Sequence, residues 1–286
     1  MHHNNKLPTF ITLAVLLLLA ACTSRPSALP VEAPRLYVFD CGTIDVADIS
    51  LFHPGIGKGE HKRLGNTCYL IAHPKGTLLW DAGLPDELAQ TPDGKTLFNV
   101  FTARVNRPLA AQLAQINVKP DRINYLGISH MHFDHIGNSA LVPNATLLMQ
   151  AAEYDAAFGP EPGKYGFDPT GYANLKTRKV KKLDGDYDVF GDGSVTIKRA
   201  PGHTPGHQSL LVRLPKTGNI LLSGDLVHFT DNWTHKRVPG FNFDKDQTAK
   251  TMDETEQLLK ANDAVLWIQH DLEQNAAIRH APEYYE

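Results

Sequence analysis

The chain has 286 residues, of which 42% are hydrophobic and 21% are charged, and its formal net charge is −3. This composition is ordinary for a globular protein with one sizeable core, and the length favours one folded domain. The near-neutral charge, with no basic run longer than Lys179 to Lys182, excludes the strongly basic class of nucleic-acid-binding proteins.

The N-terminus has the sequence pattern of an export signal. The apolar run from Phe10 to Ala21 is too short to span a bilayer, which takes about 20 residues, so residues 1–21 are predicted to be a signal peptide. The sequence "LAAC" ending at Cys22 resembles a bacterial lipobox, in which the cysteine is lipidated; simple secretion after the small residues is the alternative. Residues 22–34, rich in proline, serine and alanine, are predicted to be a flexible tether.

These features predict a lipoprotein anchored in a membrane outside the cytoplasm. Thr23 stands after the lipobox cysteine in place of an aspartate, and bacterial sorting rules then favour the outer membrane, with the protein facing the periplasm. The folded domain is predicted to extend from residue 35 to residue 286. The sequence identifies no protein partner.

Two cysteines, Cys41 and Cys68, remain in the predicted domain. In an exported protein they can form a disulfide, but each also fits as a small buried apolar residue. Both interpretations remain open at this point.

Apolar patterns predict strands and helices in the first half of the chain. Strands are expected at 35–40, 68–72, 77–81, 123–129 and 145–149, and helices at 108–116 and 151–158. Pro74 to Gly76 is predicted to join the second and third strands into a hairpin. The segment from Gly159 to Lys176 lacks periodicity and predicts a functional loop or lid.

The second half repeats this mixture of strands and helices. Strands are expected at 194–199, 208–214, 219–223 and 264–269, with a helix at 248–261. Two similar halves of this kind predict an α/β fold, with two β-sheets flanked by helices.

A cluster of histidines and one aspartate, "HMHFDH", follows the predicted strand at 123–129 and is the most informative stretch of the sequence. Imidazole and carboxylate are the ligands of Zn²⁺ and similar cations. In an extended chain His130, His132 and Asp134 would share one face and His135 would point to the other. His203, Asp225 and His270, each at a strand end or in a Gly/Pro turn, complete the ligands for two cations.

This pattern of His-x-His-x-Asp-His followed by His, Asp and His resembles the metallo-β-lactamase superfamily over residues 35–286. The resemblance implies an αββα sandwich of two mixed sheets flanked by helices, with a dinuclear metal site at one edge. It implies one metal on His130, His132 and His203, a second on Asp134, His135 and His270, and Asp225 bridging the two. A bridging hydroxide would attack the substrate.

Several neighbouring residues are predicted to support this site. Asp81 is interpreted as an acceptor that holds a ligand imidazole, and His207 as a neighbour of the ligands rather than a ligand. Phe133, Trp233 and the apolar and aromatic residues from Leu97 to Phe101 are candidate walls of a substrate pocket, with a core role as the alternative. The two cations are predicted to be zinc, although such His/Asp sites also accept Mn, Fe or Co.

Within this superfamily the sequence is most similar to the N-acyl homoserine lactonases, through "HMHFDHIGN", "PGHTPGHQSLLV", "LLSGD" and "WIQHD". This similarity implies a hydrolase that opens lactones or small esters, with Asp134, Asp225 and His228 as catalytic residues. His228 stands where many lactonases have tyrosine, and its imidazole can donate a proton to the leaving oxygen. The alternatives are a promiscuous arylesterase or organophosphate hydrolase on the same site, and a non-catalytic metal-binding lipoprotein.

Overall fold

A computed structural model describes residues 1–2 and 29–286, so that most of the predicted signal peptide and Cys22 lie outside the described residues. Thirteen strands are present in the described part: β1 (Arg35–Val46), β2 (Lys62–His73), β3 (Gly76–Trp80), β4 (Lys95–Leu97), β5 (Phe101–Arg104), β6 (Tyr125–Gly127), β7 (Thr146–Gln150), β8 (Val180–Leu183), β9 (Tyr187–Asp188), β10 (Val195–Arg199), β11 (Gln208–Leu214), β12 (Gly218–Leu222) and β13 (Ala264–Trp267). Within the same residues the α-helices are α1 (Leu109–Gln115), α2 (Phe133–Ile136), α3 (Ala151–Ala157), α4 (Thr230–Thr234), α5 (Lys245–Asn262) and α6 (Leu272–Ala276). Across the described ranges, no helix has the length and apolar character needed to cross a bilayer.

The strands form two mixed sheets. The first has eight strands in the order β4-β5-β1-β2-β3-β6-β7-β8, and the second has five in the order β13-β12-β11-β10-β9. Strand β3 runs parallel to β6, and β12 runs parallel to β13, whereas the pairs β1/β2, β2/β3 and β10/β11/β12 are antiparallel. The predicted hairpin between β2 and β3 is confirmed.

The central strands bury both of their faces, which explains their continuous apolar runs. Along β2, Cys68 and Leu70 point to a core that also contains α1, whereas Tyr69 and Ile71 point between the two sheets. Successive side chains of a strand alternate between its faces, so each face contributes to a different core. The strand is therefore buried throughout, as parallel and central strands of layered folds are.

Three packed layers of apolar side chains result from this arrangement. The core between the sheets contains Trp80 from the first sheet and Trp267 from the second. Leu109 and Leu113 of α1 pack on the outer face of the first sheet, and Met252 of α5 packs with the outer face of the second. The predicted αββα sandwich is confirmed.

Cys41 and Cys68 form a disulfide that joins β1 to β2. Both residues are buried, at 2% and 0% exposure. The two interpretations that the sequence left open are therefore both true in part, because the cysteines are bonded and also belong to the apolar core.

The predicted loop at 159–176 is more ordered than its lack of periodicity indicates. It contains two short 3-10 helices, Pro162–Tyr165 and Pro169–Leu175, and it buries Tyr172 and Leu175. Tyr172 donates a hydrogen bond from its hydroxyl to the carbonyl oxygen of Ala157 at 2.8 Å. The segment is thus packed onto α3 through its own side chains.

Candidate metal centre and active site

The polar side chains of the sequence motifs meet at one edge of the two sheets. His130 follows the end of β6 in the first sheet, and Asp225 and His270 follow the ends of β12 and β13 in the second. His203 lies in the turn between β10 and β11. Because parallel strands place their carboxyl ends on the same side, segments far apart in the chain converge there.

The first group of possible metal ligands contains His130, His132, His203 and Asp225, whose ligand atoms all lie within 4.8 Å of one another. His130 Nε2 lies 2.8 Å from His132 Nδ1 and 3.2 Å from His203 Nε2. His132 Nδ1 and His203 Nε2 are 3.0 Å apart. Three imidazole nitrogens therefore surround one point.

The second group contains Asp134, His135 and His270. Asp134 Oδ2 lies 3.5 Å from His270 Nε2 and 3.7 Å from His135 Nε2. The prediction that Asp134 shares a face with His130 and His132 in an extended chain is wrong. The chain turns into α2 at Phe133, so Asp134 points to the same group as His135.

Asp225 lies between the two groups. Its Oδ2 is 3.6 Å from His130 Nε2 and 3.4 Å from His203 Nε2. Its Oδ1 is 3.2 Å from His135 Nε2 and 3.0 Å from His270 Nε2. One carboxylate oxygen therefore faces each group.

Hydrogen bonds on the far side of the rings show that these residues fit divalent cations. The outer nitrogens of His132, His203 and His270 donate to the Tyr165 carbonyl, the Asn242 side-chain oxygen and the Gly65 carbonyl, at 3.0, 3.0 and 2.7 Å. Each inner nitrogen then carries a lone pair and no proton, and facing lone pairs cannot hydrogen-bond to one another. A cation between them removes this repulsion, as in sites where outer hydrogen bonds orient the ligand rings.

Unpartnered buried atoms support the same conclusion. His135 Nε2 and Asp225 Oδ1 are buried and have no hydrogen-bond partner in the structure. Buried polar atoms are nearly always paired, so two such atoms within 3.2 Å of each other call for a ligand. The donor set of imidazole and carboxylate is one that Zn²⁺ and related cations bind.

The electrostatics of the site differ between the two ligand groups. Burial lowers the pKa of His130 and His203 well below the usual value, which keeps both rings neutral. Burial acts in the same direction on His135, but three neighbouring carboxylates outweigh it and raise its pKa. Burial opposes ionisation of Asp225, yet the surrounding imidazoles, His135 foremost, hold the pKa of Asp225 well below its usual range.

Asp81 holds the histidine motif from behind. Its Oδ1 accepts the Ser129 N–H at 2.6 Å, and its Oδ2 accepts the Ser129 hydroxyl at 2.8 Å and His135 Nδ1 at 2.9 Å. Gln269 Nε2 donates to the same Oδ2 at 3.0 Å. Asp81 therefore holds the His135 ring by its outer nitrogen, which is the role that the sequence predicts for it.

His207 and His228 both contact Asp225 but differ in position. His207 Nε2 accepts the Asp225 N–H at 2.9 Å, and His207 Nδ1 donates to the Ala200 carbonyl at 2.9 Å, so both nitrogens are used. His228 Nε2 lies 3.1 Å from Asp225 Oδ2, whereas its Nδ1 is buried without a partner. His207 supports the backbone, and His228 faces the site.

Comparison with known proteins agrees with this geometry. The family model described as the metallo-beta-lactamase superfamily matches residues 61–270, which include all seven predicted ligands. The chain belongs to the metallo-beta-lactamase superfamily. The predictions of this family and of a metal-dependent hydrolase are confirmed.

Individual relatives within the superfamily are similar over nearly the whole chain. The N-acyl homoserine lactonase AttM of Azorhizobium caulinodans is 32% identical over 263 residues, which cover 88% of this chain and 98% of that protein. The N-acyl homoserine lactonase AiiA of Bacillus thuringiensis subsp. kurstaki is 28% identical over 258 residues, covering 87% of this chain and 98% of that protein. A solved N-acyl homoserine lactone hydrolase with N-hexanoyl-L-homoserine bound at its catalytic metal centre superimposes with a TM-score of 0.77 at 26% identity, covering 89% of this chain and 100% of that one.

The two ligand groups lie at one side of an apolar cavity of about 290 Å³. His132, Asp134, His203, Asp225, His228 and His270 form its polar part. Its apolar walls include Phe52, Phe98, Phe101, Phe133 and Phe241. Phe98, at 67% exposure, lies at the open side. The cavity can therefore accept an apolar chain while a polar group contacts the ligand groups.

Two of the predicted wall assignments need correction. Trp233 does not line this cavity; it packs with the Met252 cluster on the outer side of the second sheet, under the ammonium group of Lys236. Of the apolar and aromatic residues predicted at 97–101, Phe98, Val100 and Phe101 line the cavity and Leu97 does not. Trp233 lies on α4, whose orientation depends on packing that the sequence pattern does not show.

Sequence reasoning missed the residues that orient the ligand rings. Tyr165 acts through its carbonyl, and Gly65 does the same, so no side-chain signal exists for either. Asn242, which orients His203, and Phe52, which lines the cavity, come from segments without a recognised motif. The one sequence feature that pointed to any of these residues is the predicted functional loop or lid at 159–176, which contains Tyr165.

Proposed function

We propose that the protein hydrolyses the lactone ring of N-acyl homoserine lactones. The observation that carries this proposal is the position of two ligand groups on the floor of an aromatic cavity, because such a substrate joins an apolar chain to a polar ring. Relatives named N-acyl homoserine lactonases, similar over 88% of the chain, support it.

The proposed metal ligands are those of the two groups. His130, His132 and His203 would hold one cation, and Asp134, His135 and His270 the other, with Asp225 between them. We propose Zn²⁺ for both, in keeping with the imidazole-rich donor set. When bound, the cations polarise the substrate carbonyl and acidify water.

The chain's own residues would position the reaction and transfer its protons. Asp134, only 6% exposed and on the cavity wall, can accept a proton from the attacking water through its carboxylate. His228 can donate a proton to the leaving ring oxygen, because its Nε2 lies 3.1 Å from Asp225 Oδ2 beside the first ligand group. Phe52 and Phe241 pack edge-on against the His228 ring, at 4.7 and 5.8 Å between centroids, and keep water from it.

A substrate panel tests the proposal. Purified zinc-loaded protein should open acyl homoserine lactones to acyl homoserines, measured by chromatography, and Asp225→Ala should lose both metal and turnover. Turnover of aryl esters or phosphotriesters without lactone opening would support the esterase or organophosphate alternative. Metal binding without turnover of lactones, thioesters, β-lactams or phosphotriesters would support a non-catalytic role.

We further propose that the protein is an exported lipoprotein attached through Cys22 to the outer membrane, facing the periplasm. The apolar run and lipobox-like sequence before Cys22 support this, and a disulfide between Cys41 and Cys68 suits an oxidising compartment. Cells expressing the full chain should incorporate radiolabelled fatty acid into it and retain it in the outer-membrane fraction. Cys22→Ala should abolish both; soluble, unlabelled wild-type protein would exclude the anchor.

A further inference from the structure

Glu153, on α3, is a buried carboxylate that belongs to neither ligand group. Its side chain is 0% exposed. Its Oε1 accepts the Met131 N–H at 2.9 Å, and its Oε2 accepts the Thr204 hydroxyl at 2.8 Å and the Gly206 N–H at 2.8 Å. Within the described residues no lysine or arginine is ion-paired with it, and its three hydrogen bonds come from neutral donors.

The donors to Glu153 come from two separate ligand loops. Met131 lies between His130 and His132, and Thr204 directly follows His203. These three histidines are the imidazoles of the first ligand group, whose inner nitrogens are 2.8 to 3.2 Å apart. A single carboxylate therefore connects the two loops that must stay in register for the three nitrogens to meet.

The contact between α3 and the second loop is unusually close. A Cβ atom on Gly206 would lie 2.3 Å from the Glu153 nitrogen and 2.7 Å from its Cβ. Only glycine allows this approach, and the approach brings the Gly206 N–H within reach of the carboxylate. The backbone of the loop is thus packed directly onto the first turn of α3.

We propose that Glu153 is a positioning residue that sets the spacing of the His130/His132 loop and the His203 loop, and with it the metal affinity of the first ligand group. This inference rests on the proposed metal assignment. Glu153 does not contact the ligand atoms; it acts through the backbone of the ligand loops. Supporting interactions of this kind typically change metal affinity by about 10- to 100-fold when they are removed.

Metal titration of Glu153→Gln tests the inference, with Asp155→Asn as the matched control. Glutamine keeps the shape of the side chain, but its NH₂ group would face either the Met131 N–H or the Gly206 N–H, so one backbone donor loses its acceptor in either orientation. Asp155 lies on the same helix, where its exposed carboxylate pairs with Lys182 Nζ at 2.5 Å. Stripped protein is titrated with Zn²⁺ against a chelating dye and with Co²⁺ while visible absorption is recorded.

Glu153→Gln should weaken the affinity for one of the two cations by about 10- to 100-fold and alter the Co²⁺ spectrum, whereas Asp155→Asn should behave as wild type. Thr204→Val, which removes one donor and keeps the carboxylate, should shift the affinity in the same direction by a smaller factor. Wild-type affinity and spectrum in both Glu153→Gln and Thr204→Val would overturn the inference. Asp225→Ala is measured in parallel: if it keeps both cations, the metal assignment has failed, and not the role of Glu153.

Discussion

His132 shows how a backbone carbonyl determines what a ligand ring can do. Its Nε2 donates to the Tyr165 carbonyl at 3.0 Å, which leaves Nδ1 free to face His130 and His203. Gly166, which follows Tyr165, has φ of 77°, and a Cβ there would lie 2.9 Å from His132 Nε2. The segment at 159–176 therefore reaches the site through main-chain atoms.

Gly166→Ala should displace the His132 ring, because the added methyl group is too close to Nε2 and the positive φ is unfavourable for alanine. We expect metal affinity to fall by about tenfold or more, measured by titration with a chelating dye. Gly163→Ala is the control, since a Cβ at Gly163 meets no atom within 4 Å. Equal affinities in the two variants would contradict the role of the Tyr165 to Gly166 turn.

His228 occupies the position at which many lactonases carry tyrosine, and both side chains can donate a hydrogen bond. If His228 protonates the leaving oxygen, His228→Ala should lower kcat on acyl homoserine lactones by about 100-fold while KM and the metal content change little. His228→Tyr should recover part of kcat. Steady-state kinetics on metal-quantified protein provide the measurement, and an unchanged kcat in His228→Ala would leave only a packing role for this ring.

At the scale of elements, the buried strands and the regular helices were predictable, and the short strands at the edges of the sheets were not. The predictions at 35–40, 68–72 and 248–261 fall within longer observed elements, and the prediction at 208–214 coincides with β11. The short strands β4 and β9 were missed, because they are exposed or half-buried and carry no apolar period. The motif "HMHFDH" was treated as extended, and its turn into α2 followed from tertiary packing instead.

The disulfide between β1 and β2 closes a segment of 27 residues. By the loop-entropy relation, removing such a cross-link should lower the free energy of unfolding by about 3 to 4 kcal/mol. The double variant Cys41→Ala/Cys68→Ala should show this loss in denaturant unfolding of the metal-loaded protein. Wild-type protein treated with reductant should unfold at a similarly lower denaturant concentration, and equal stability of all three samples would contradict the contribution.

At the scale of the whole molecule, the two ligand groups join the two sheets. The ligands from His130 to His135 follow β6 of the first sheet, whereas Asp225 and His270 follow β12 and β13 of the second. The proposed cations would therefore cross-link the halves of the sandwich. Their removal should therefore lower the free energy of unfolding of the whole domain.

Chelation should lower the thermal unfolding midpoint, because it removes the free energy of metal binding from the folded state. A ligand that binds only the folded state stabilises it by about 4 kcal/mol at a concentration 1,000 times its Kd. Calorimetry with and without chelator should show a clear fall in the wild type and almost none in Asp225→Ala. A wild-type midpoint that is insensitive to chelation would show that the cations do not hold the sheets together.

The sequence alone determined those features that depend only on residues close together in the chain. The ligand motif, the buried strands and the α/β class follow from spacing and alternation between near neighbours, which chain geometry fixes. Only the tertiary structure decided the rest: that the chain turns into α2 within the ligand motif, that Cys41 meets Cys68, that Trp233 faces away from the cavity, and that Glu153 links two ligand loops. Each of these depends on how segments distant in the chain pack against one another, and no local pattern encodes that packing.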